Sequence, residues 1–172
     1  MKKDIFIDGE TGTTGLQVHE KLSKHPNVDI MSVDQSKRKD ISYKKEMLAK
    51  SDVTFLCLPD EISIETVQIA DDLGDKSPII IDASTAHRTN PKWSYGLPEL
   101  GENYRKSIEN SKRIASPGCY STGANVILKP LISNGILSKN IPIIINAAVS
   151  YTHLRAHETR EDLVCRRLRE KK

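Results

Sequence analysis

The chain has 172 residues, of which 37% are hydrophobic and 28% charged, a composition typical of a globular protein. No apolar run approaches the about 20 residues that a membrane helix needs, and the N-terminus does not resemble a signal peptide, so we expect no membrane partner. The net charge of +3 comes from residues 151–172, so charge gives no support for nucleic-acid binding by the rest of the chain. Three cysteines without metal-ligand spacing predict a reducing, cytoplasmic location and no metal site.

The first predicted unit is a strand at residues 4–8, the glycine-rich segment GETGTTG, and a helix at 16–24. Its glycines follow a Gly-x-x-Gly-x-x-Gly variant of the dinucleotide-binding fingerprint. Gly9 is expected to make the tight turn, Gly12 to let the backbone approach a pyrophosphate, and Gly15 to let helix and strand pack closely. A tight turn in any α/β protein is the alternative, but the position directly after the first strand favours a dinucleotide.

A second strand is predicted at residues 28–34, and the charged segment SKRKD follows it. An acidic residue here, Asp34, is typical of binding to the ribose 2′-hydroxyl of NAD, whereas a nearby arginine accommodates the 2′-phosphate of NADP. Ser36 and Arg38, with the lysines on either side of Arg38, offer donors and positive charge for that phosphate. A solvated loop is the alternative, and the pattern favours NADP modestly.

Strands and helices continue to alternate along the chain, which predicts a parallel sheet with right-handed crossovers. The fold expected is therefore α/β, a Rossmann-like doubly wound sheet. The helix predicted after the third strand contains the apolar residues Ile62, Ile64, Val67, Ile69 and Ala70. The further predicted helices are 43–50, 60–73 and 103–112, and the further predicted strands are 52–59, 78–84, 113–116 and 141–150.

A polar segment at residues 84–100 leaves the C-terminal end of the fourth strand, where open α/β sheets place ligands. It begins with Ser84 and Thr85, and His87 and Arg88 follow within three residues. A polar surface loop with a satisfied histidine is the alternative. For Arg88, substrate contact and a solvated surface position are equally supported by the residues themselves.

The segment SPGCYSTG sets Cys119 between a turn and a helix predicted at residues 120–133. A helix N-terminus favours an anion, and the thiolate is the nucleophilic form of cysteine. The pattern alone supports a reactive thiol and a small buried side chain equally. Cys57 lies in an apolar strand and is expected in the core.

Five motifs, GETGTTG, FLCLPD, DASTAHR, YGLPEL and PGCY, together resemble N-acetyl-gamma-glutamyl-phosphate reductase of the shorter bacterial type, over about residues 3–150. The resemblance implies NADPH-dependent reduction of an acyl phosphate to an aldehyde with release of phosphate, in arginine biosynthesis, by a homo-oligomer. It implies that Cys119 is the nucleophile and that Arg88 contacts substrate. The cofactor-binding residues implied are Gly9, Thr11, Gly12, Thr13, Thr14, Gly15, Ser36, Arg38, Pro59 and Ser84.

Two departures lie beside the cysteine, where Ser116 replaces the family's usual Asn and Ser121 its usual Pro. After residue 150 the family continues with a glycine-rich stretch and a region that carries an acid/base histidine, whereas residues 151–172 resemble a translated vector sequence. The domains expected are a NAD(P)-binding Rossmann domain at 1–118, the beginning of an incomplete α+β catalytic domain at 119–150, and a non-native tail. We therefore expect the chain by itself to be inactive.

Two other functions remain open from the sequence. One is a different semialdehyde dehydrogenase, such as the aspartate-semialdehyde type, against which YGLPEL counts. The other is a non-catalytic dinucleotide-binding module in which Cys119 acts as a redox sensor.

Overall fold

Six parallel strands form one sheet in the computed structural model, which describes residues 2–138 and 140–146. The strands are β1 Lys3–Asp8, β2 Val28–Ile30, β3 Val53–Leu56, β4 Ile79–Asp82, β5 Ser94–Tyr95 and β6 Arg113–Ala115. Their order across the sheet is β2-β1-β3-β4-β6-β5, and every neighbouring pair is parallel. The predicted Rossmann-like α/β fold is confirmed.

Helices connect the strands, as the alternation in the sequence predicts. They are α1 Thr13–Leu22, α2 Ile41–Lys50, α3 Asp60–Asp71, α4 Glu102–Glu109 and α5 Cys119–Ser133, with short 3₁₀ turns at Gly74–Lys76 and Pro98–Leu100. Asp40 fixes the start of α2, because its carboxylate accepts hydrogen bonds from the backbone N–H groups of Ser42 and Tyr43. None of these described helices has both the length and the apolar character needed to cross a membrane.

The strand order of the sheet reverses beside β1, and this reversal defines where a ligand can bind. The chain passes from β1 to β2 on one side and then returns to place β3 on the other side of β1. In open parallel sheets, the crevice at the C-terminal ends of two such strands is the usual ligand site. The C-terminal ends of β1 and β3 therefore form the natural binding position of this fold.

The core lies between the sheet and the pair α2 and α3, and it takes in only some of the apolar residues of α3. The buried cluster consists of Phe6, Met47, Leu48, Leu56, Val67, Ala70 and Ile80. Ile62 and Ile64 are instead 38% and 52% exposed, whereas Ser63 and Thr66 are fully buried. The helix thus buries a mixed polar and apolar face, because its two hydroxyl groups find hydrogen-bond partners inside the protein.

Several predicted bounds shift by one to four residues, and the larger differences are the following. The strand predicted at 28–34 ends at Ile30, and the segment 84–100 contains β5, which the sequence analysis missed. Residues 141–146 hold no strand. Residues 147–150, the remainder of that predicted strand, lie outside the described residues.

Residues 1–141 form one compact unit, and a second unit begins at Pro142, of which only residues 142–146 are described. The predicted domain boundary between residues 118 and 119 stays a prediction. The tail predicted at 151–172 lies outside the described residues, as does Cys165.

The glycine of α1 provides a test of this packing. A Cβ added to Gly15 would lie 2.2 Å from the carbonyl oxygen of Gly9, whereas one added to Gly123 in α5 would meet no other described residue within 4 Å. We expect Gly15→Ala to lower the free energy of unfolding by about 2 kcal/mol or more through overpacking. Gly123→Ala should raise it by up to about 1 kcal/mol through helix propensity.

Urea unfolding followed by the fluorescence of the single tryptophan, Trp93, measures both variants. Equal shifts for the two variants would contradict the close packing of α1 against the glycine-rich loop.

Candidate functional site

The glycine-rich loop packs directly against the end of β3. Gly9 has a φ of +90°, and a Cβ there would lie 2.3 Å from the carbonyl oxygen of Cys57, so only glycine fits. The N–H of Gly12 donates to the carbonyl oxygen of Gly9 at 3.0 Å and closes the turn. No side chain caps α1 at Gly12, so the first turn of the helix directs backbone N–H groups and the positive helix end toward the loop.

A cleft of about 870 Å³ opens beside this loop, at the C-terminal ends of β1, β2 and β3 and between α2 and α3. Apolar side chains from both helices and from the end of β3 line it, among them Ile41, Leu58, Ile62 and Ile69. Its basic residues are Arg38, Lys39 and Lys44. The cleft has the apolar walls and the few placed polar groups of a small-molecule site, and its volume is in the usual range.

The structure divides the SKRKD segment into two parts. Ser36 donates to the carboxylate of Asp34 from its backbone N–H at 3.0 Å and from its hydroxyl at 2.6 Å, and Lys37 lies 3.7 Å from the same carboxylate. The hydroxyl and N–H of Ser36, and then Lys37, hold the pKa of Asp34 below its ordinary value. Ser36 and Lys37 are thus engaged with Asp34, whereas Arg38 and Lys39 line the cleft.

Asp82, the last residue of β4, organises the polar segment that follows, and the sequence analysis gave it no role. It is fully buried and accepts hydrogen bonds from the hydroxyl of Ser63 at 2.8 Å and from the hydroxyl and N–H of Ser84 at 2.7 and 2.9 Å. Nδ1 of His87 lies 2.6 Å from Oδ2 of Asp82, the oxygen that also accepts from the Ser84 hydroxyl, and the imidazole stacks on Trp93 with ring centroids 4.1 Å apart. The signal was present in the sequence as an acidic residue at a strand end, within two residues of a serine and five of a histidine.

The guanidinium of Arg88 joins this segment to the cysteine turn, residues 116–118, which precedes Cys119. Its Nε donates to the carbonyl oxygen of Ser116 and its Nη2 to that of Ala83, both at 3.0 Å. Nη1 lies against Gly118, 2.9 Å from where a Cβ would stand. The solvated-surface interpretation of Arg88 is therefore wrong, since the half-buried side chain holds the cysteine turn in place.

Asp60, at the start of α3, fixes the same segment from the other side. Its carboxylate accepts hydrogen bonds from the N–H of Thr85 at 2.8 Å and from the Thr85 hydroxyl. Partial burial raises the pKa of Asp60, but the hydrogen bonds from Thr85 and the charge of Arg88 outweigh it, so that the pKa lies below its ordinary value. The predicted cofactor residue Pro59 is exposed and precedes α3 as its N-cap.

Cys119 is the first residue of α5 and is exposed, so it is not the small buried side chain that the sequence left open. The hydroxyls of Ser121 and Thr122 donate to the carbonyl oxygen of Gly118, at 3.0 and 2.9 Å. Tyr95 in β5 donates its hydroxyl to that of Ser121 at 3.0 Å. Ser121, a departure from the resembled family, thus helps to hold the cysteine turn.

Cys57 follows β3 and has a different environment. It is half-buried rather than fully in the core, and its N–H donates to the carbonyl oxygen of Asp8 at 2.8 Å. Burial raises the pKa of the Cys57 thiol to about 11, and the carboxylates of Asp8 and Asp82 add to the rise.

Comparison with known proteins identifies the family. The model of the semialdehyde dehydrogenase NAD-binding domain matches residues 4–110, more than half of the chain. The chain belongs to the semialdehyde dehydrogenase family. The match covers the glycine-rich loop, the residues that line the cleft, and Asp82 with the polar segment that follows it. It ends before Cys119.

Curated relatives include the N-acetyl-gamma-glutamyl-phosphate reductases of Brucella ovis and Brucella abortus, each 41% identical over 152 residues. The match covers 88% of this chain and 48% of each relative, so the chain spans about half the length of the curated relatives it matches. The resemblance inferred from the five motifs is confirmed.

Solved structures of aspartate semialdehyde dehydrogenases share the fold. The Vibrio cholerae enzyme II is 17% identical with a TM-score of 0.59, over 78% of this chain and 43% of that one. The Candida albicans enzyme, solved with NADP, is 15% identical with a TM-score of 0.59, over 78% of this chain and 48% of that one. The family model supports a nicotinamide dinucleotide as the cofactor of this domain.

The two described thiols are expected to react at different pH. Because the thiolate is the reacting form, Cys57 should stay unmodified by iodoacetamide until the pH approaches 11, whereas the side chain of Cys119 is exposed to the reagent and should be modified before Cys57. Peptide mass spectrometry of protein labelled across a pH series measures both sites, with Cys119→Ser as the matched control. Modification of Cys57 at about pH 8 in the folded protein would contradict its assigned environment.

Proposed function

We propose that this chain is the dinucleotide-binding part of an NADPH-dependent N-acetyl-gamma-glutamyl-phosphate reductase of the cytoplasm, with Cys119 as its nucleophile. The observation that carries the proposal is that one edge of the sheet bears both the cleft beside the glycine-rich loop and an exposed cysteine at a helix start. The 41% identity to such reductases supports the substrate. For a complete enzyme of this kind we propose a homo-oligomer.

The cleft fits the adenosine end of a dinucleotide. Ile41 and Ile62 supply apolar surface for the adenine from α2 and α3, and both are exposed toward solvent without a ligand. The pyrophosphate is assigned to the N-terminus of α1, where Thr11, Thr13 and Thr14 adjoin the loop. When bound, the reduced nicotinamide supplies a hydride to the substrate carbon.

The preference for NADP is supported by the two basic residues of the cleft that follow β2. Arg38 and Lys39 line the cleft and offer positive charge for a 2′-phosphate. Asp34 would be the ribose-binding acid of an NAD site, but its carboxylate is bonded to Ser36.

Cys119 would perform the covalent step. The thiolate sulfur bonds to the acyl carbon while the bond from that carbon to the phosphate oxygen breaks, so that a thioester forms and inorganic phosphate leaves. The backbone N–H groups of the first turn of α5 would stabilise the oxyanion that forms in this step. Arg88 orders the turn, and its Nη1 beside Gly118 is placed to meet an anionic part of the substrate.

The cofactor preference can be tested by replacing two neighbouring basic residues of one loop, Arg38 and Lys37, one at a time. We expect the wild-type chain to bind NADPH more tightly than NADH, and Arg38→Ala to weaken NADPH binding about tenfold through loss of a charge-assisted hydrogen bond. NADH affinity should change little. Lys37→Ala is the matched control, since Lys37 pairs with Asp34 and does not line the cleft. Titrations that show equal losses for NADPH and NADH in Arg38→Ala would contradict the phosphate assignment.

The nucleophile can be tested in the half-reaction that needs no cofactor. We expect no turnover by this chain alone, but N-acetyl-gamma-glutamyl phosphate should still acylate Cys119 once and release one phosphate per chain, as read by peptide mass and phosphate assay. Cys119→Ser should abolish both signals, and Cys57→Ser should leave them intact. Faster acylation by β-aspartyl phosphate would favour the aspartate-semialdehyde type instead. The absence of an adduct with either substrate would leave the alternative of a non-catalytic module.

A further inference from the structure

A lysine and an aspartate form an ion pair at the inner wall of the cleft. Nζ of Lys44, in α2, lies 2.9 Å from Oδ2 of Asp8, the last residue of β1. The same ammonium donates to the hydroxyl of Thr66 in α3 at 3.1 Å. The Asp8 and Lys44 side chains are only 11% and 13% exposed, and all three residues line the cleft.

The pair stands where it affects a charged ligand. Asp8 directly precedes Gly9, the first glycine of the loop, and both residues line the cleft in which a phosphorylated ligand is expected. Oδ2 of Asp8 is buried and has no well-aligned hydrogen bond within the described part of the chain. The nearby ammonium is therefore its main compensation, and an uncompensated charge there would be felt strongly at low dielectric.

The charges that line the cleft balance only when Lys44 is counted. The acidic residues are Asp8, Glu10 and Glu65, and the basic ones are Arg38, Lys39 and Lys44. Without Lys44 the lining carries an excess negative charge, which repels an anion.

We propose that Lys44 is a cofactor-binding residue that acts by cancelling the charge of Asp8, which makes the cleft accept a phosphorylated nucleotide rather than a neutral nucleoside alone. This inference rests on the proposed dinucleotide function. If the ion pair served only the stability of the fold, other side chains could replace it, since buried ion pairs often add little to stability. The charge role instead predicts opposite effects for removal of the two partners.

The test uses the 172-residue chain with 2′,5′-ADP and adenosine as probes in calorimetric titrations. We expect Lys44→Met to weaken 2′,5′-ADP binding about tenfold and Asp8→Asn to strengthen it about threefold, with adenosine affinity changed less than about threefold in both. The double variant Asp8→Asn/Lys44→Met should recover most of the loss. Lys45→Met is the matched control, because Lys45 is exposed on the same helix and should change nothing.

The outcomes separate the two claims. If the wild-type chain binds neither probe, the proposed dinucleotide function is overturned and this inference with it. If the wild type binds 2′,5′-ADP but Lys44→Met and Asp8→Asn bind it equally well, only the inference is overturned. If Lys44→Met does not fold, as seen by thermal melting, Asp8→Asn decides: tighter binding supports the charge role, and unchanged or weaker binding overturns it.

Discussion

The arrangement of the site depends on the hydrogen bonds that the buried carboxylate of Asp82 accepts. A carboxyl group in the interior is costly unless polar partners surround it, and Asp82 obtains them from Ser63 in α3, from Ser84 and from His87. These contacts fix the start of the segment after β4, from which Arg88 reaches the carbonyl oxygen of Ser116. The position of the cysteine turn thus follows from a group inside the nucleotide-binding sheet, and the two parts of the site form one connected structure.

The cleft shows how a fold with acidic strand ends can still receive an anion. Asp34 after β2 is compensated by Ser36 and Lys37, and Asp8 at the end of β1 by Lys44, whose ammonium also donates to the hydroxyl of Thr66. Each of these two carboxylates therefore has a lysine of this chain beside it. Arg38 and Lys39 remain at the cleft as the basic residues that a phosphate would meet, consistent with a site for a phosphorylated nucleotide.

Local patterns in the sequence predicted the sheet, the glycine-rich loop and the cysteine at a helix start, because turn residues and apolar periodicity are properties of neighbouring residues. The buried face of α3 could not be predicted in this way. Ser63 and Thr66 are buried because Asp82 and Lys44, distant in sequence, supply their partners. β5 was missed for the same reason, since its two residues form a strand only by pairing with β6. In each of these cases the structure depends on hydrogen-bond partners that are distant in sequence.

Hydrogen–deuterium exchange of the wild type and Asp82→Asn tests the account most directly, because the amide replaces an acceptor that faces Ser84 and His87 with a donor. If Asp82 holds the cysteine turn through Arg88, we expect faster exchange in two separate segments, 84–97 and 116–122, with the glycine-rich loop at 9–15 unchanged. Faster exchange in 84–97 alone, with 116–122 as in the wild type, would contradict the claim that Asp82 holds the cysteine turn through Arg88.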